Sequence, residues 1–254
     1  MKKYVFLFLT IGVALNMFAQ MDASENHYFI VKEKTNKKYG VIDMNDNFII
    51  SYMYDRIESY RNYFIVVQNE KYGLYNPVGK LLIPPKYDHI QGLYYNGKMA
   101  FCVRQGKEDW LINENEKMLT TLKYEAIGDY IGKDRSTSNF CGANSIIKWN
   151  RAMVKHNDKW GWINIDGEEV IPCQYDDVFN YDFYMSKTGI VAVKNNANKW
   201  GVIDTDGQII LPFIYDHVYI DYNIFVSDAE EHIQVTLNDH KFEVDKNGKK
   251  IKDL

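Results

Sequence analysis

Cysteine is scarce in this chain, which has only three such residues among 254: Cys102, Cys141 and Cys173. No two of them form a C-x-x-C pair, so the spacing indicates neither a zinc site nor a thioredoxin-like redox site. Cys102 and Cys173 lie in apolar, strand-like segments, where a free cysteine behaves as a small hydrophobic residue. We expect buried thiols, although an oxidising compartment would permit a disulfide between any two of the three.

Catalytic signatures are also lacking. The sequence contains no G-x-S-x-G, no P-loop and no G-x-G-x-x-G. Its six histidines include no H-E-x-x-H pair. Adjacent acidic pairs such as Asp176-Asp177 would point to opposite faces of a strand, so they do not form a general acid–base pair. We therefore expect no catalytic, cofactor-binding or metal-binding residues and no enzyme activity, and an enzyme with an unrecognised site is kept as an alternative.

Two short acidic strings, Asp43-x-Asn45-x-Asn47 and Asp204-x-Asp206-Gly207, invite a calcium interpretation. An EF-hand loop needs further ligands and a bidentate glutamate at its twelfth position, and neither string supplies them. Asp-x-x-Gly is typical of a tight turn, because Asp bonds the local backbone and Gly takes positive φ. The sequence therefore predicts turns at both places.

Positive charge is not in excess, since 30 basic residues face 34 acidic ones and the formal net charge is −4. Nucleic-acid binding depends on clustered basic residues. The densest basic cluster, residues 32–38, is interrupted by Glu33 and is typical of a solvated hairpin. We exclude nucleic acid as a partner.

The longest apolar run lies near the N-terminus. Lys2 and Lys3 precede the apolar segment 4–15, and Ala19 offers a small residue for cleavage, so residues 1–20 are predicted to be a signal peptide. The run is short of the roughly 20 residues that span a bilayer. We expect an exported protein, periplasmic or extracellular, with its domain in residues 21–254, no transmembrane segment in the mature chain and a cleavage bond that the sequence leaves open.

The clearest pattern in the sequence is a repeat. Four segments open with Lys, an aromatic residue and Gly, and fifteen residues after that aromatic comes Tyr-Asp. The four copies open at Lys38, Lys71, Lys159 and Lys199 and close at Tyr54, Tyr87, Tyr175 and Tyr215. Three copies carry a proline twelve residues after the aromatic (Pro84, Pro172 and Pro212), whereas the first has Ser51. Recurrence in register indicates a modular array.

Two further copies are worn. In the third, residues 109–127, Trp110 stands where the glycine should be. The last, residues 241–248, keeps its turn but stops before any Tyr-Asp. Degraded copies are common in repeat arrays, in which terminal units act as caps.

The pattern aromatic-Gly-Φ-Φ-Asp/Asn-x-x-Gly-x-Φ-Φ-Pro-x-x-Tyr-Asp resembles the WG-repeat (KWG-repeat) family of bacterial exported proteins. The resemblance covers nearly all of residues 27–251 and departs from the family in Tyr39 and Tyr72, which replace Trp. It implies an all-β repeat protein of binding or structural type.

Each copy predicts about three strands, with the aromatic-Gly strand second and the proline marking the edge strand. We expect Trp160 and Trp200 to be buried, with the glycine allowing close approach of another backbone. The fold class is therefore all-β, a tandem array of about six three-stranded antiparallel units. Because the copies are spaced unevenly, we favour an open, curved array, with a closed propeller-like ring as the alternative.

The sequence assigns no ligand-binding residue. Exposure is expected for tyrosines in the predicted connections: Tyr60, Tyr94, Tyr95, Tyr130, Tyr181 and Tyr184. A loop insertion at about residues 128–150 breaks the period, and His89 and His217 share one repeat position. We predict a non-catalytic protein-interaction scaffold at the cell envelope with an unidentified protein or glycan partner. The main alternative is a glycan- or envelope-binding module. Neither the ligand nor the oligomeric state can be predicted from the sequence.

Overall fold

In the part of the chain that the structure describes, alternating apolar residues separated by tight turns fold into 22 antiparallel strands. The computed structural model describes residues 28–128, 149–179, 189–220 and 233–254. Every named element within these ranges is a strand, and the strands form six small sheets, none of which is closed. The predicted all-β class and the count of six units are confirmed.

The six sheets follow one another along the chain. The first comprises β1 (Tyr28–Lys32), β2 (Tyr39–Asp43) and β3 (Phe48–Tyr54), and the second β4 (Arg56–Tyr60), β5 (Tyr63–Gln68), β6 (Lys71–Tyr75) and β7 (Leu81–Tyr87). The third comprises β8 (His89–Tyr95), β9 (Lys98–Gln105) and β10 (Glu108–Ile112), and the fourth β11 (Ala126–Ile127), β12 (Ala152–His156), β13 (Lys159–Ile163) and β14 (Glu169–Tyr175). The fifth comprises β15 (Asp177–Val178), β16 (Ile190–Lys194), β17 (Trp200–Asp204) and β18 (Ile209–Tyr215), and the sixth β19 (His217–Ile220), β20 (Ile233–Leu237), β21 (His240–Val244) and β22 (Lys250–Asp253).

Strand number differs from the prediction in four sheets. The first and third sheets have three strands, as predicted, and the other four have a fourth. The additional strand follows the Tyr-Asp step directly, because the backbone N–H of that aspartate already bonds to the next sheet. Asp55 N–H donates to the Val67 carbonyl at 2.8 Å, and Asp216 N–H donates to the Thr236 carbonyl at 2.8 Å. Tyr-Asp thus ends one sheet and begins the next.

The glycine of the motif permits a bulge in the following strand. In the fifth sheet Trp200 pairs with Tyr215 and Val202 pairs with Leu211, so the register shifts opposite Gly201. The first and fourth sheets show the same shift. A Cβ built on Gly161 would lie 2.5 Å from the Ile171 carbonyl oxygen, so a larger residue does not fit there. The predicted close approach of another backbone is confirmed.

The two worn copies carry an aromatic residue in place of this glycine. The turn of the sixth sheet places Phe242 at the glycine position, and β21 pairs with β22 without a shift opposite Phe242. In the third sheet Trp110 occupies the glycine position, and the residues after β10 make only the isolated bridges Asp109–Tyr124 and Ile112–Met118. In the third sheet, loss of the glycine accompanies loss of a continuous strand after the turn, whereas the sixth sheet keeps β22, with a register shift between Glu243 and Val244.

Apolar clusters lie between consecutive sheets rather than around one centre. The chain divides into two compact units, residues 1–86 and 87–254. In the first unit, Val41 and Ile50 of the first sheet pack against Phe64 and Val66 of the second. In the second unit, three clusters join the third sheet to the fourth, the fourth to the fifth and the fifth to the sixth. The choice between an open array and a closed ring stays a prediction.

Candidate functional site

The carboxylate of the Tyr-Asp step ties neighbouring sheets together. Asp216 accepts hydrogen bonds from Lys199 Nζ at 2.5 Å and from the backbone N–H of Asn238, in the next sheet, at 2.7 Å. The Lys199 hydrogen bond, followed by that from Asn238, holds the pKa of Asp216 below its usual range. Asp55 has the same two kinds of partner, Lys38 and Asn69. These aspartate side chains therefore hold neighbouring strands and sheets together.

The motif aromatics are also occupied, each by a basic side chain over its ring. At the motif position the pairs are Lys32–Tyr39, Arg56–Tyr72, Lys155–Trp160 and Lys194–Trp200. In the two worn copies, Lys123 and Lys250 lie over Trp110 and Phe242, which occupy the glycine position. Trp160 and Trp200 are buried, as predicted. Stacked cations and burial leave these two tryptophan rings no open face for a ligand.

The third copy replaces this stack with an ion pair. Its Asp109 occupies the place of Trp200, opposite Arg104, which occupies the place of Lys194. Asp109 is fully buried and accepts two hydrogen bonds from Arg104, at 2.8 and 2.9 Å, and one from the Ile127 N–H at 3.1 Å. The basic position is thus retained while its partner changes from an aromatic ring to a carboxylate.

The acidic strings form turns, as predicted. Asp204 Oδ1 accepts the backbone N–H groups of Asp206 and Gln208, both at 2.8 Å, and Asp206 pairs with Arg151 at 2.6 Å. Asp43 Oδ1 accepts the N–H groups of Asn45 and Asn47 in the same way. Within the described ranges, no group of three or more His, Cys, Asp or Glu residues is placed to hold a metal ion.

The tyrosines predicted to lie in connections have other surroundings. Tyr60 lies at the end of β4, and Tyr94 and Tyr95 lie at the end of β8, all three half-buried. The expectation of loop positions was wrong for these residues, because the chain after Tyr-Asp continues as a strand. Tyr130, Tyr181, Tyr184 and all but the edges of the insertion at 128–150 lie outside the described residues.

The shared histidine position is occupied differently in its two copies. His89 is half-buried in β8, opposite Arg104, whereas His217 is exposed in β19, opposite Thr236. Of these two histidines, only His217 has an exposed side chain.

The two cysteines in the described residues carry free thiols in apolar surroundings. Cys102 is buried, and Cys173 is partly buried against the cluster between the third and fourth sheets. Burial, followed by the nearby carboxylate of Glu169, raises the pKa of the Cys173 thiol to about 12. A thiol with so high a pKa is a poor nucleophile at neutral pH. Cys141 lies outside the described residues.

Two further surfaces of the protein are candidates for binding, and the sequence pattern predicts neither of them. The first, the apolar patch, consists of exposed side chains of the first unit: Met44, Phe48, Met53, Val78 and Leu81. The second, the polar face of the sixth sheet, surrounds a hollow of about 350 Å³ and contains His217, Tyr219, Gln234, Thr236 and Lys241. Aligning the last copy by its turn would have revealed the second, because Lys241 then falls on the tryptophan position.

These sheets and their recurring contacts define a tandem β-repeat protein. A family model described as WG containing repeat matches residues 39–72, 72–107, 160–198 and 200–223. The matches cover more than half of the chain, which therefore belongs to the WG-repeat family, as its motif predicts. No curated protein sequence matches the chain.

Solved structures of low sequence identity resemble the chain. BamB from Moraxella catarrhalis matches with a TM-score of 0.37 and 7% identity, over 91% of this chain and 74% of that one. Hsv2p from Kluyveromyces lactis matches with a TM-score of 0.36 and 13% identity, over 87% of this chain and 71% of that one. Likeness at this level carries no argument about function. In the described residues, no helix is long and apolar enough to cross a membrane.

Proposed function

We propose that this protein is an exported, non-catalytic scaffold that binds a partner protein at the cell envelope, and that β3 is the strand to which the partner binds. Its membership of the WG-repeat family supports a scaffold or binding role. The recurring motif residues hold the sheets together, so we look for binding at positions that differ between copies. The apolar patch lies at such positions in the first unit.

The apolar patch surrounds β3. Val78 is 83% exposed and Phe48 is 54% exposed. The turn that carries Val78 lies against β3, since a Cβ built on Gly79 would be 2.8 Å from Ile49 Cγ2. Phe48 meets Tyr52 edge to face, with ring centroids 5.1 Å apart. Clustered exposed apolar side chains mark protein-binding surfaces more often than scattered ones do.

The backbone edge of β3 is the observation that carries the proposal. β3 is the last strand in the order of its sheet. The matching strands β7, β14 and β18 carry Pro84, Pro172 and Pro212 where β3 carries Ser51. Proline on an edge strand removes a donor and discourages pairing with another chain. β3 lacks this protection and keeps a backbone N–H at that position.

The sheet itself does not need this N–H. The first, fourth and fifth sheets have the same register between second and third strands, although two of the three have proline there. The Ser51 N–H is therefore available to an extended segment of a partner, which would add a strand beside β3 and cover the apolar patch. Main-chain hydrogen bonds and pockets for alternate side chains characterise this mode of recognition.

A proline substitution tests the proposal with little risk to the fold. Ser51→Pro reproduces the residue of the other three copies, whereas Ser51→Ala removes only the hydroxyl and is the matched control. Each variant, immobilised, is incubated with envelope extract, and captured proteins are quantified by mass spectrometry. We expect a protein captured by wild type and Ser51→Ala to be lost with Ser51→Pro at unchanged melting temperature. Equal capture by all three would refute the role of β3.

Self-association is a separate outcome of the same variants. If light scattering shows that wild type and Ser51→Ala form dimers and Ser51→Pro stays monomeric, the occupant of β3 is a second copy of this chain. That result would replace the partner protein in the proposal.

Export is tested at the N-terminus of protein recovered from its native host. We expect the mature chain to begin near Gln20 or Met21. Cytosolic protein with Met1 intact would contradict export.

The alternative of a glycan-binding module depends on a different surface, the polar face of the sixth sheet.

A further inference from the structure

The polar face of the sixth sheet corresponds to a face that is apolar in the fifth. In the fifth sheet this face carries Trp200 and Val202, which pack against Val218 and Val235 of the sixth. Equal registers relate the two faces position by position. Phe179, Ala192, Lys194, Trp200 and Val202 correspond to Tyr219, Gln234, Thr236, Lys241 and Glu243. Three of the five residues on the sixth sheet, Tyr219, Gln234 and Glu243, thus gain hydrogen-bonding groups, whereas Thr236 and Lys241 retain one.

The face is concave and contains an accessible aromatic ring. His217, Tyr219, Gln234, Thr236, Lys241 and Leu254 are among the residues that line its hollow of about 350 Å³. Tyr219 is 44% exposed. Phe179 contacts Tyr219 edge to face, with ring centroids 5.7 Å apart, which fixes the orientation of the Tyr219 ring.

Lys241 places a positive charge at the hollow. Neighbouring carboxylates are engaged elsewhere, since Asp216 pairs with Lys199 at 2.5 Å and Glu243 pairs with Lys252 at 3.3 Å. Lys241 forms no ion pair within the described part of the chain. Its ammonium group is available to an anionic ligand group.

We propose that this hollow binds an oligosaccharide that carries a carboxylate, such as a uronic-acid chain. The C–H face of a pyranose ring would lie on Tyr219, because an aromatic ring provides apolar contact area. Gln234, Thr236 and His217 offer donors and acceptors for hydroxyl groups, and Lys241 binds the carboxylate. The volume lies at the lower end of ligand sites, which suits one or two sugar rings.

The test is calorimetric titration of the folded protein with three kinds of probe. Uronic-acid trisaccharides of galacturonate, glucuronate and mannuronate are the acidic probes, maltotriose is the neutral one, and sodium phosphate reports simple anion binding. We expect at least one acidic trisaccharide to bind more tightly than maltotriose, and phosphate to show no saturable binding.

Substitutions then assign the site. Lys241→Gln should weaken binding of the acidic trisaccharide about tenfold or more, as loss of a charge-assisted hydrogen bond requires. Lys246→Gln, which changes an exposed lysine in the nearby turn, is the matched control and should leave affinity unchanged. Tyr219→Ala should abolish binding, and an unchanged melting temperature would show that the fold survives. Where Tyr219→Ala does unfold the sheet, Tyr219→Leu replaces it, because leucine keeps apolar volume without the flat ring.

Three results would overturn the proposal. They are absence of binding by every acidic trisaccharide at millimolar concentration, equal loss with Lys246→Gln and Lys241→Gln, and saturable binding of phosphate alone. Because the hollow and β3 lie in different units, loss of sugar binding would leave the Ser51→Pro experiment unaffected.

Discussion

The third and fifth sheets place different residues, with different contacts, at the same positions of the repeat. In the fifth, Lys194 lies over Trp200, Gly201 admits the bulged β18, and Lys199 pairs with Asp216. In the third, Arg104 binds the buried Asp109, and Trp110 occupies the glycine position. Glu108, at the position of Lys199, forms an ion pair with Lys123. The fifth sheet has β18 as a complete strand after the turn, whereas the third sheet has two isolated bridges there.

The comparison shows which parts of the motif depend on each other. The basic residue tolerates either an aromatic ring or a carboxylate as its partner. Where the glycine is present, the carbonyl of the strand after the turn occupies the space where a Cβ would be. Of the two copies without the glycine, the third keeps two isolated bridges of that strand, whereas the sixth keeps β22 beside Phe242.

The largest expected effect comes from removing the aromatic side of the comparison. Trp200→Ala should lower the free energy of unfolding by about 3–5 kcal/mol, the usual range for a buried large aromatic residue. The exposed Tyr219 is the matched control, and its replacement by Ala should have a much smaller effect. Chemical denaturation measures both. An unaltered free energy for Trp200→Ala would show that the indole contributes little to the core.

The ionic side of the comparison should be nearly as sensitive. Asp109→Asn keeps the size of the side chain and removes its charge, so Arg104 loses a charge-assisted partner at a buried position. We expect a loss of about 2–3 kcal/mol in unfolding free energy. The double variant Arg104→Met/Asp109→Leu should recover part of it relative to Asp109→Leu alone, because no unpaired buried charge remains. Additive losses would contradict this coupling.

The glycine position allows a direct test of the bulge. Gly161→Ala would place a Cβ 2.5 Å from the Ile171 carbonyl oxygen, and the expected loss is about 1–3 kcal/mol. Gly106→Ala meets no neighbouring atom within 4 Å and strains only the backbone, so its melting temperature should fall less. The reverse order of these two melting temperatures would mean that the close approach is not limiting.

The Lys199–Asp216 pair, which the third sheet lacks, predicts a pH dependence. The Asp216 pKa is lowered in the folded state, chiefly by Lys199. Its stabilisation is therefore present above the unfolded pKa of about 3.9 and is lost as pH falls through the folded pKa. Wild type should exceed Asp216→Asn in melting temperature at pH 7, and the two should converge under strongly acidic conditions. A constant difference down to low pH would show that the charge is not responsible.

The smallest expected effect is that of chelation. Both turn carboxylates, Asp43 and Asp204, bind backbone N–H groups of their own turns. Melting temperatures in excess EDTA and in excess calcium should therefore agree. A difference of many degrees would establish a cation site and refute the turn interpretation.

Much of the fold could be predicted from spacing, and the candidate surfaces could not. The interval from Trp200 to Tyr215 specifies two paired strands and a bulge, because both ends of the interval meet in the register. The fourth strand was missed because Asp177–Val178 and similar short segments lack an alternating pattern long enough to be recognised. Their pairing depends on a hydrogen bond from Asp176 N–H to the Lys194 carbonyl, which joins residues far apart in sequence.

The two surfaces were missed for a related reason. Phe48 and Ile50 are both apolar strand residues, yet Phe48 is exposed and Ile50 is buried, and a register shift between Val41 and Ile42 separates them. Lys241 looks like the lysine that opens each copy until the turn at Asp245 shifts the alignment by one residue. Both assignments depend on register, which apolar composition alone does not determine.

The position of each apolar cluster between successive sheets also bears on how the gene could change. Within each unit, these clusters join sheets that follow one another in the described part of the chain, so the contacts in them stay short-range in sequence. Such chains can begin folding at any adjacent pair and extend from there, which keeps folding fast despite an all-β composition. Duplication or deletion of one whole copy would leave both newly joined surfaces with the partners they require. The Tyr-Asp junction thus makes the array adjustable in length without redesign of its interior.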